Sequence, residues 1–537
     1  MVVQPDIVHG QTQRFDAISP SNVCPRSTSD HVTHGACACT LSATRLLNRL
    51  ACSCDDGFGL GRVQALLQRV GSPQFKFPVI HVSGTNGKGS TTAYLDAFLT
   101  HAVGLRSARF NTPHLVTARD SLRTNGGIPI DDKTWDIAVQ KTRLADARDV
   151  PIGATPFELL TVQALLACTL LPIASQPDIL LIEVGVGGRL DATNVFPSEN
   201  VLASVICSIA RDHEAILGNR LSNIALEKAG IIKPQGLCIV SDQTTGSFGS
   251  NLTTNFELLE VLETLHSACQ AQHARVVYTQ VPWASLKPCP RKEPFGASVD
   301  LTLPLSYACD ATKITYNPSS NASQRHIRFS LEATLARISG ASTALQTLWS
   351  IAHDISSDQW NGIRELIRKR LFQADPSLIA QAAAQYRWEG RCEWMKLGEV
   401  PLLLDGAHNE ASAFALRQYL DHCLAETPSA DITWIMGFSS GKEVHAMLHA
   451  LLCPRKGLHH RVSLVPFSIP VEGMPWVKPM LPEECKSAVR SMNVECVTHR
   501  SLRDALTWAS LHDQRPHIVV ICGSLYLISD YYRQLSF

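Results

Sequence analysis

Residues 81–91 read His-Val-Ser-Gly-Thr-Asn-Gly-Lys-Gly-Ser-Thr. They follow the apolar run Phe77-Pro78-Val79-Ile80 and precede Thr92-Ala93-Tyr94-Leu95-Asp96-Ala97-Phe98-Leu99, which has helical periodicity. The order is strand, glycine-rich turn, helix. Such a turn points backbone N–H groups and a helix N-terminus at an anion, and Lys88 adds a point charge suited to phosphate. A nucleoside triphosphate cradle, and hence an energy-coupled enzyme, is the functional reading. A glycine-rich turn that only joins strand to helix is the bland one. The general P-loop pattern has four residues between its glycines and a hydroxyl residue after the lysine. Here two residues separate Gly84 from Gly87, and Gly89 follows Lys88.

The rest of the chain alternates strand-like and helix-like segments, the pattern of an open α/β sheet. A helix is expected over Gly61–Val70, with Val63, Leu66, Leu67 and Val70 on one face, and another over Phe157–Leu171. Ile179–Ile182 and Val201–Ile209 read as fully apolar strands of a parallel sheet covered on both faces. Residues 245–340 hold turn signals and few strand-like runs, Val276-Val277-Tyr278 among them, and read as a variable rear of the first domain. Gln381–Arg391 reads as a helix end and a linker. A second α/β unit follows, with strands at Val400–Leu404, Ile432–Met436, Val462–Val465 and His517–Ile521.

The 537 residues suffice for two to four domains. A formal net charge of zero gives no bulk attraction to nucleic acid, and no apolar run reaches the ~18 residues of a membrane helix. The 17 cysteines are scattered, many in apolar segments, and read as reduced core residues of an intracellular protein. Cys37/Cys39 and Cys52/Cys54 are spaced C-x-C, unlike the usual zinc pairs. Residues 1–56 lack periodicity and are expected to be a poorly ordered extension; their acidic residues argue against a transit peptide.

Polar residues at strand ends are where open sheets place chemistry. Glu183 ends an apolar strand and suits a carboxylate beside Mg²⁺, with a helix cap or salt bridge as the lesser alternative. His213 follows another strand. Lys228 lies in a helix-like segment and by itself reads as a solvated lysine. Asp405 and His408 form a second strand-end cluster more than 300 residues from the glycine-rich turn, which places an active site between two α/β units.

The set GTNGKGS (Gly84–Ser90), TPHL (Thr112–Leu115), FELLT (Phe157–Thr161), EVGVGGRLDATN (Glu183–Asn194), DHEAILG (Asp212–Gly218), EKAGIIK (Glu227–Lys233) and LDGAHN (Leu404–Asn409) closely resembles the folylpolyglutamate synthase/dihydrofolate synthase family of the Mur-ligase superfamily. The resemblance covers roughly residues 57–537. Val471–Trp476, Cys522–Leu527, Thr112–Val116 and Asp120-Ser121 are most similar to the fungal dihydrofolate synthase branch.

The resemblance implies an α/β fold: an N-terminal P-loop ATPase domain with a mostly parallel sheet (57–385), and a smaller C-terminal Rossmann-like glutamate-ligase domain (386–537). It implies ATP and Mg²⁺, with K⁺ as a further candidate cation. The acceptor would be dihydropteroate, with folates as the alternative, and L-glutamate the amine. A cytoplasmic monomer is implied, with the mitochondrion left open. Gly84, Thr85, Asn86, Gly87, Lys88, Gly89 and Ser90 would hold the phosphates, joined by Arg391 and Asp405. Thr112, Glu183 and His213 would serve the metal, as would Lys228, carried by relatives as a carbamate. Lys88, Lys228 and His408 are the implied catalytic groups, and His408 and Ser524 the implied substrate contacts. The sequence departs from the family at Asn111, where Thr is frequent, and at Glu389, where Pro is.

A GTPase would commonly carry an Asn-Lys base-reading pair, and the chain has none. An inactive binding module is disfavoured by the presence of Lys88, Glu183, His213, Lys228 and Asp405 together.

Overall fold

The computed structural model describes residues 59–535 except 247–254, 282–286, 289–297, 306–308, 311–324, 333, 357–358, 374, 376, 426, 428, 443, 472–473, 475–476 and 512–516. The expectations for residues 1–56, the two C-x-C pairs and most of Val471–Trp476 lie outside the described residues.

The apolar run before the glycine-rich turn becomes β1 (Val79–Ser83), buried throughout. In chain order there follow β2 (Ser107–Phe110), β3 (Leu122–Thr124), β4 (Ile128–Pro129), β5 (Ile179–Glu183), β6 (Val201–Ile206), β7 (Leu237–Val240), β8 (Arg275–Tyr278), β9 (Lys287–Pro288), β10 (Ser298–Leu305), β11 (Cys309–Asp310) and β12 (Arg325–Glu332). The first sheet runs β11-β8-β7-β6-β1-β5-β2-β3-β4. Its middle, β8 to β2, is parallel, and both edges are antiparallel. The fully apolar strands therefore fall in the covered centre, and β1 lies between β6 and β5, so three strand ends converge on the glycine-rich turn. β6 stops at Ile206, short of the expected Ile209, because Cys207 and Ser208 turn to serve that loop: the Cys207 N–H donates to Ser83 O at 2.8 Å.

Helix starts follow local capping chemistry. Helix Pro156–Leu170 opens with a capping box between Thr155 and Glu158 and with Pro in its first turn. Arg62 from helix Gly61–Arg69 also reaches Glu158, at 3.0 Å. Val63, Leu66 and Leu67 of that first helix are buried as their spacing predicts. Helix Lys88–Ala97 passes into a wider turn, Phe98–Val103, ended by Gly104.

Residues 245–340, expected as a variable rear, contain helix Asn255–Ala271 and an eight-residue antiparallel pairing of β10 with β12. Leu301, Leu303 and Leu305 alternate inward against Ile327, Phe329 and Leu331. They cover helix Leu335–Ala352, which joins the same core as helix Lys88–Ala97. The alternation is present in the sequence, but long turn-rich intervals separate its two halves.

The second unit holds β13 (Glu393–Leu397), β14 (Val400–Leu404), β15 (Ala430–Met436), β16 (Leu458–Leu464), β17 (Glu495–Thr498) and β18 (His517–Cys522), ordered β13-β14-β18-β15-β16-β17. All pairs are parallel except β13 with β14. Cys168, Cys207, Cys238, Cys269, Cys392, Cys423, Cys485, Cys496 and Cys522 are free and buried, as read from their apolar settings, and Cys453 is free and exposed. No helix among the described residues is long and apolar enough to cross a membrane.

Candidate active site between the two sheets

The C-terminal ends of β1, β2, β5 and β6 face those of β14 and β18 across a cleft. The glycine-rich turn forms one wall. Thr85 and Asn86 donate backbone N–H groups to Ser208 O, at 2.8 and 3.2 Å, which ties the turn to β6. Gly84 has φ +139°, and a Cβ there would lie 2.6 Å from Cys207 Cβ, so a side chain is excluded. Helix Lys88–Ala97 starts at Gly87, leaving the first-turn N–H groups of Lys88, Gly89 and Ser90 without partners inside the helix.

The ionised groups form two knots. In the first, Lys88 Nζ donates to Gly84 O and Thr85 O at 3.0 and 3.1 Å and stands 3.8 Å from Glu183 Oε1. Burial pushes the Glu183 carboxyl up, opposed by Lys88, the Asn111 amide, Arg391 and the Thr112 backbone. Asn111 Nδ2 donates to Glu183 Oε2 at 2.6 Å and to Thr92 Oγ1 at 2.8 Å. Lys228 Nζ donates to Gly84 O at 2.9 Å, and burial, then Lys88, pushes this ammonium down to about 7.

The second knot centres on Asp212. Its Oδ1 accepts from Lys442 Nζ at 2.7 Å, while Oδ2 faces His408 Nε2 at 3.4 Å, Asn409 Nδ2 at 3.5 Å and His213 Nε2 at 3.9 Å. Burial would raise this carboxyl, but the hydrogen bond and charge of His408, with His213 and Lys442, hold it well below the usual carboxylate range. His213 has left-handed backbone, φ +54°, and its side chain is 40% exposed. Partial burial still pushes its imidazole down, only partly opposed by Asp212. His408 Nδ1 faces Gly406 O at 3.1 Å. Each ring nitrogen thus faces an acceptor, on a side chain that lines the cleft.

The segment read as a linker is fastened to both sides. Tyr386 stacks on Tyr94 at 4.2 Å, and Arg337 lies over its ring at 4.8 Å. Arg109 lies 4.6 Å from the centre of Trp388. Glu389, the departure from Pro, pairs with Arg123 at 2.9 Å. On the other side Asp405 accepts the Cys392 and Ala407 N–H groups at 2.8 and 2.9 Å, and Arg391 Nη1 donates to Gly406 O at 3.3 Å.

Of the sequence-predicted residues, Thr85, Asn86, Gly87, Lys88, Gly89, Ser90, Thr112, Glu183, His213, Lys228, Arg391, Asp405 and His408 line this one cleft. Gly84 sits behind it as the shared acceptor of two lysines. Ser524 does not line it: the residue is buried at the start of helix Leu525–Leu535, where its Oγ accepts the Tyr526 N–H at 3.2 Å. Among the described residues no three His, Cys, Asp or Glu side chains gather as a metal cage. Sequence reasoning gave no role to Asp212, Asn409, Lys442, Arg337, Tyr386 or Trp388. The usable signal was Tyr386 and Trp388, two large aromatics in a stretch read as a helix end and a linker.

Comparison with known proteins places the fold and the family. The family description "Dihydrofolate synthetase, C-terminal domain" matches residues 391–534. Dihydrofolate synthetase of Saccharomyces cerevisiae is 32% identical over 483 residues, spanning 88% of this chain and 97% of that protein. A dihydrofolate synthase/folylpolyglutamate synthase of Bacillus subtilis is 28% identical, spanning 89% and 95%. Among solved structures, Mycobacterium tuberculosis folylpolyglutamate synthase complexed with ADP and AMPPCP superposes with a TM-score of 0.65 at 23% identity, covering 93% of this chain and 98% of that one. Escherichia coli FolC in complex with DHPP and ADP gives 0.62 at 21%, covering 92% and 97%. The chain belongs to the dihydrofolate synthetase family.

Proposed function

We propose that this chain uses ATP to join L-glutamate to 7,8-dihydropteroate through an acyl phosphate, giving dihydrofolate. The observation that carries the reading is the phosphate-shaped turn opening into a cleft whose far wall is a second α/β unit with its own strand-end cluster. The residues fit the nucleotide and a divalent cation. The first-turn N–H groups and Lys88 suit phosphate oxygens. Glu183, Thr112 and His213 are too few for an all-protein cage, which suits Mg²⁺, an ion held by one or two protein oxygens, phosphate and water. Asn111 Oδ1, buried and without a hydrogen-bond partner among the described residues, leaves acceptor capacity beside them. When bound, the cation neutralises phosphate charge.

In the first step a carboxylate oxygen of dihydropteroate attacks the terminal phosphorus and ADP departs. Lys88 and the turn's N–H groups hold the charge on the transferring group. In the second, the glutamate amine attacks the acyl carbon, the C–O bond to phosphate breaks, phosphate leaves and the amine proton passes to solvent. Arg391 and Asp405 set the linker against the nucleotide. His408, which lines the cleft beside Asp212, contacts the reactants there. Lys228, carried as a carbamate, would add a carboxylate to the residues that would hold the cation. Holding acid, nucleotide and amine together is worth up to about 7–11 kcal/mol of the barrier. The functional division is at 385/386, with the cleft between the two parts.

Addition of glutamate to folates is the second reading, favoured by relatives named as bifunctional. Labelled glutamate incorporation with dihydropteroate and with a reduced folate monoglutamate separates the two. Incorporation on dihydropteroate alone supports the first reading, and on folate alone overturns it.

A further inference from the structure

We propose that Lys442 is a positioning residue for amide formation: its ion pair with Asp212 draws the second α/β unit onto the first and sets His408 in place. This rests on the ligase reading above. Lys442 follows β15 on the far wall, while Asp212 lies beyond β6 on the near wall. Their contact, at 2.7 Å, is the shortest of those between Asp212 and the second unit. Asp212 is 9% exposed and Lys442 26%, so the pair is partly desolvated and stronger than a surface contact.

Three groups of the second unit meet on this single carboxylate. Lys442 takes Oδ1, which also accepts the His213 N–H at 2.9 Å. That leaves Oδ2 to His408 and Asn409. Asn409 in turn reaches Asn86 Oδ1 of the glycine-rich turn at 3.2 Å. Without the Lys442 charge, the longer contacts at 3.4 and 3.5 Å are all that join Asp212 to the second unit among the described residues. His408 would then be held against the near wall only by those contacts and by Asn409 on Asn86. Phosphates contact the turn without Lys442, whereas a reaction between groups held by both walls needs them together.

The test compares the full-length chain with Lys442→Met and Lys442→Arg. Three quantities are read: affinity for a non-hydrolysable ATP analogue by calorimetry, kcat and KM for glutamate and dihydropteroate, and radius of gyration by small-angle scattering with and without analogue plus dihydropteroate. Lys442→Met is expected to melt as the parent does and to bind the analogue within about threefold. Its kcat should fall about 30-fold or more, and its particle should be larger than the parent's with the same ligands. Lys442→Arg should restore compaction and most of kcat. Parent-like kcat, KM and compaction in Lys442→Met would overturn the proposal, as would a loss of analogue binding as large as the loss of kcat. Scattering needs no turnover, so failure of the ligase reading, seen as no incorporation by the parent, is distinguished from failure of this one.

Discussion

The indole of Trp388 occupies the space that a side chain at residue 89 would need: a Cβ on Gly89 would lie 2.6 Å from Trp388 Cζ2. The ring cannot step aside cheaply, because Arg109 packs on it and is itself buried beside Asp96. This accounts for glycine after Lys88 where the general phosphate-loop pattern has a hydroxyl residue. Gly89→Ser, which restores that pattern, is therefore expected to lower stability by about 1–3 kcal/mol through overpacking. It should also weaken nucleotide binding. Denaturant melts and analogue calorimetry check this. Combining it with Trp388→Leu should recover part of the stability; a Gly89→Ser variant as stable and active as the parent would remove the steric account.

Lys88 is folded back on the carbonyls of Gly84 and Thr85 and shares the pocket with Glu183. Lys88→Ala removes the turn's own cation, and kcat for glutamate ligation should fall by roughly 10²–10³-fold or to background. The far-ultraviolet circular dichroism and the melting midpoint should stay close to the parent, since β1 and helix Lys88–Ala97 are held by apolar packing. Ligation at the parental rate in this variant would end the phosphate-turn assignment.

Much of the fold is legible in the sequence because the central strands are short apolar runs bounded by turn residues, and Ile179–Glu183 appears where its composition puts it. The site's membership is legible where a residue belongs to a motif at a strand end, as with Glu183 and Asp405. What is hidden is pairing across distance. Glu389 reads as a lost proline until Arg123, 266 positions earlier, is found opposite it. Lys442 carries no signal in the sequence, and only Asp212, 230 positions away, gives it a partner in the site. The β10–β12 pairing is hidden for the same reason: period-two alternation sets which face is buried, but nothing local sets the partner.

Lys228 is buried, donates to Gly84 O, and is pushed down to about 7 by burial and Lys88. A substantial neutral fraction near pH 7 is the form that reacts with carbon dioxide to give a carbamate. Lys228→Ala is expected to lower kcat at least about 10²-fold, and added acetate or formate should restore part of it by supplying the missing carboxylate. Intact-mass analysis under bicarbonate, with mild trapping of the carbamate, should show the added group on the parent and not on the variant. Parental activity in Lys228→Ala without any added carboxylate would remove the carbamate role.

The second unit should lose stability in acid through His460. Its Nδ1 accepts from Trp434 Nε1 at 3.1 Å, which requires the neutral ring. Burial, then the charge of Arg417, pushes it down to about 4, against about 6.5 in an unfolded chain. Because the folded value is the lower one, the unfolded chain binds the extra proton between these values. The stabilisation is complete above about pH 6.5 and is lost as pH falls toward 4. The ring is half-buried, so the contribution is about 1–2 kcal/mol rather than the full value of the shift. His81, buried and also pushed down by burial, acts in the same direction in the first unit. His460→Gln keeps an acceptor near Trp434 and removes the titration. Urea melts of parent and variant at pH 7.0 and 4.5, followed by tryptophan emission, should show the parent losing about 1–2 kcal/mol more than the variant over that interval. Equal losses would mean that His460 takes up its proton without disturbing Trp434.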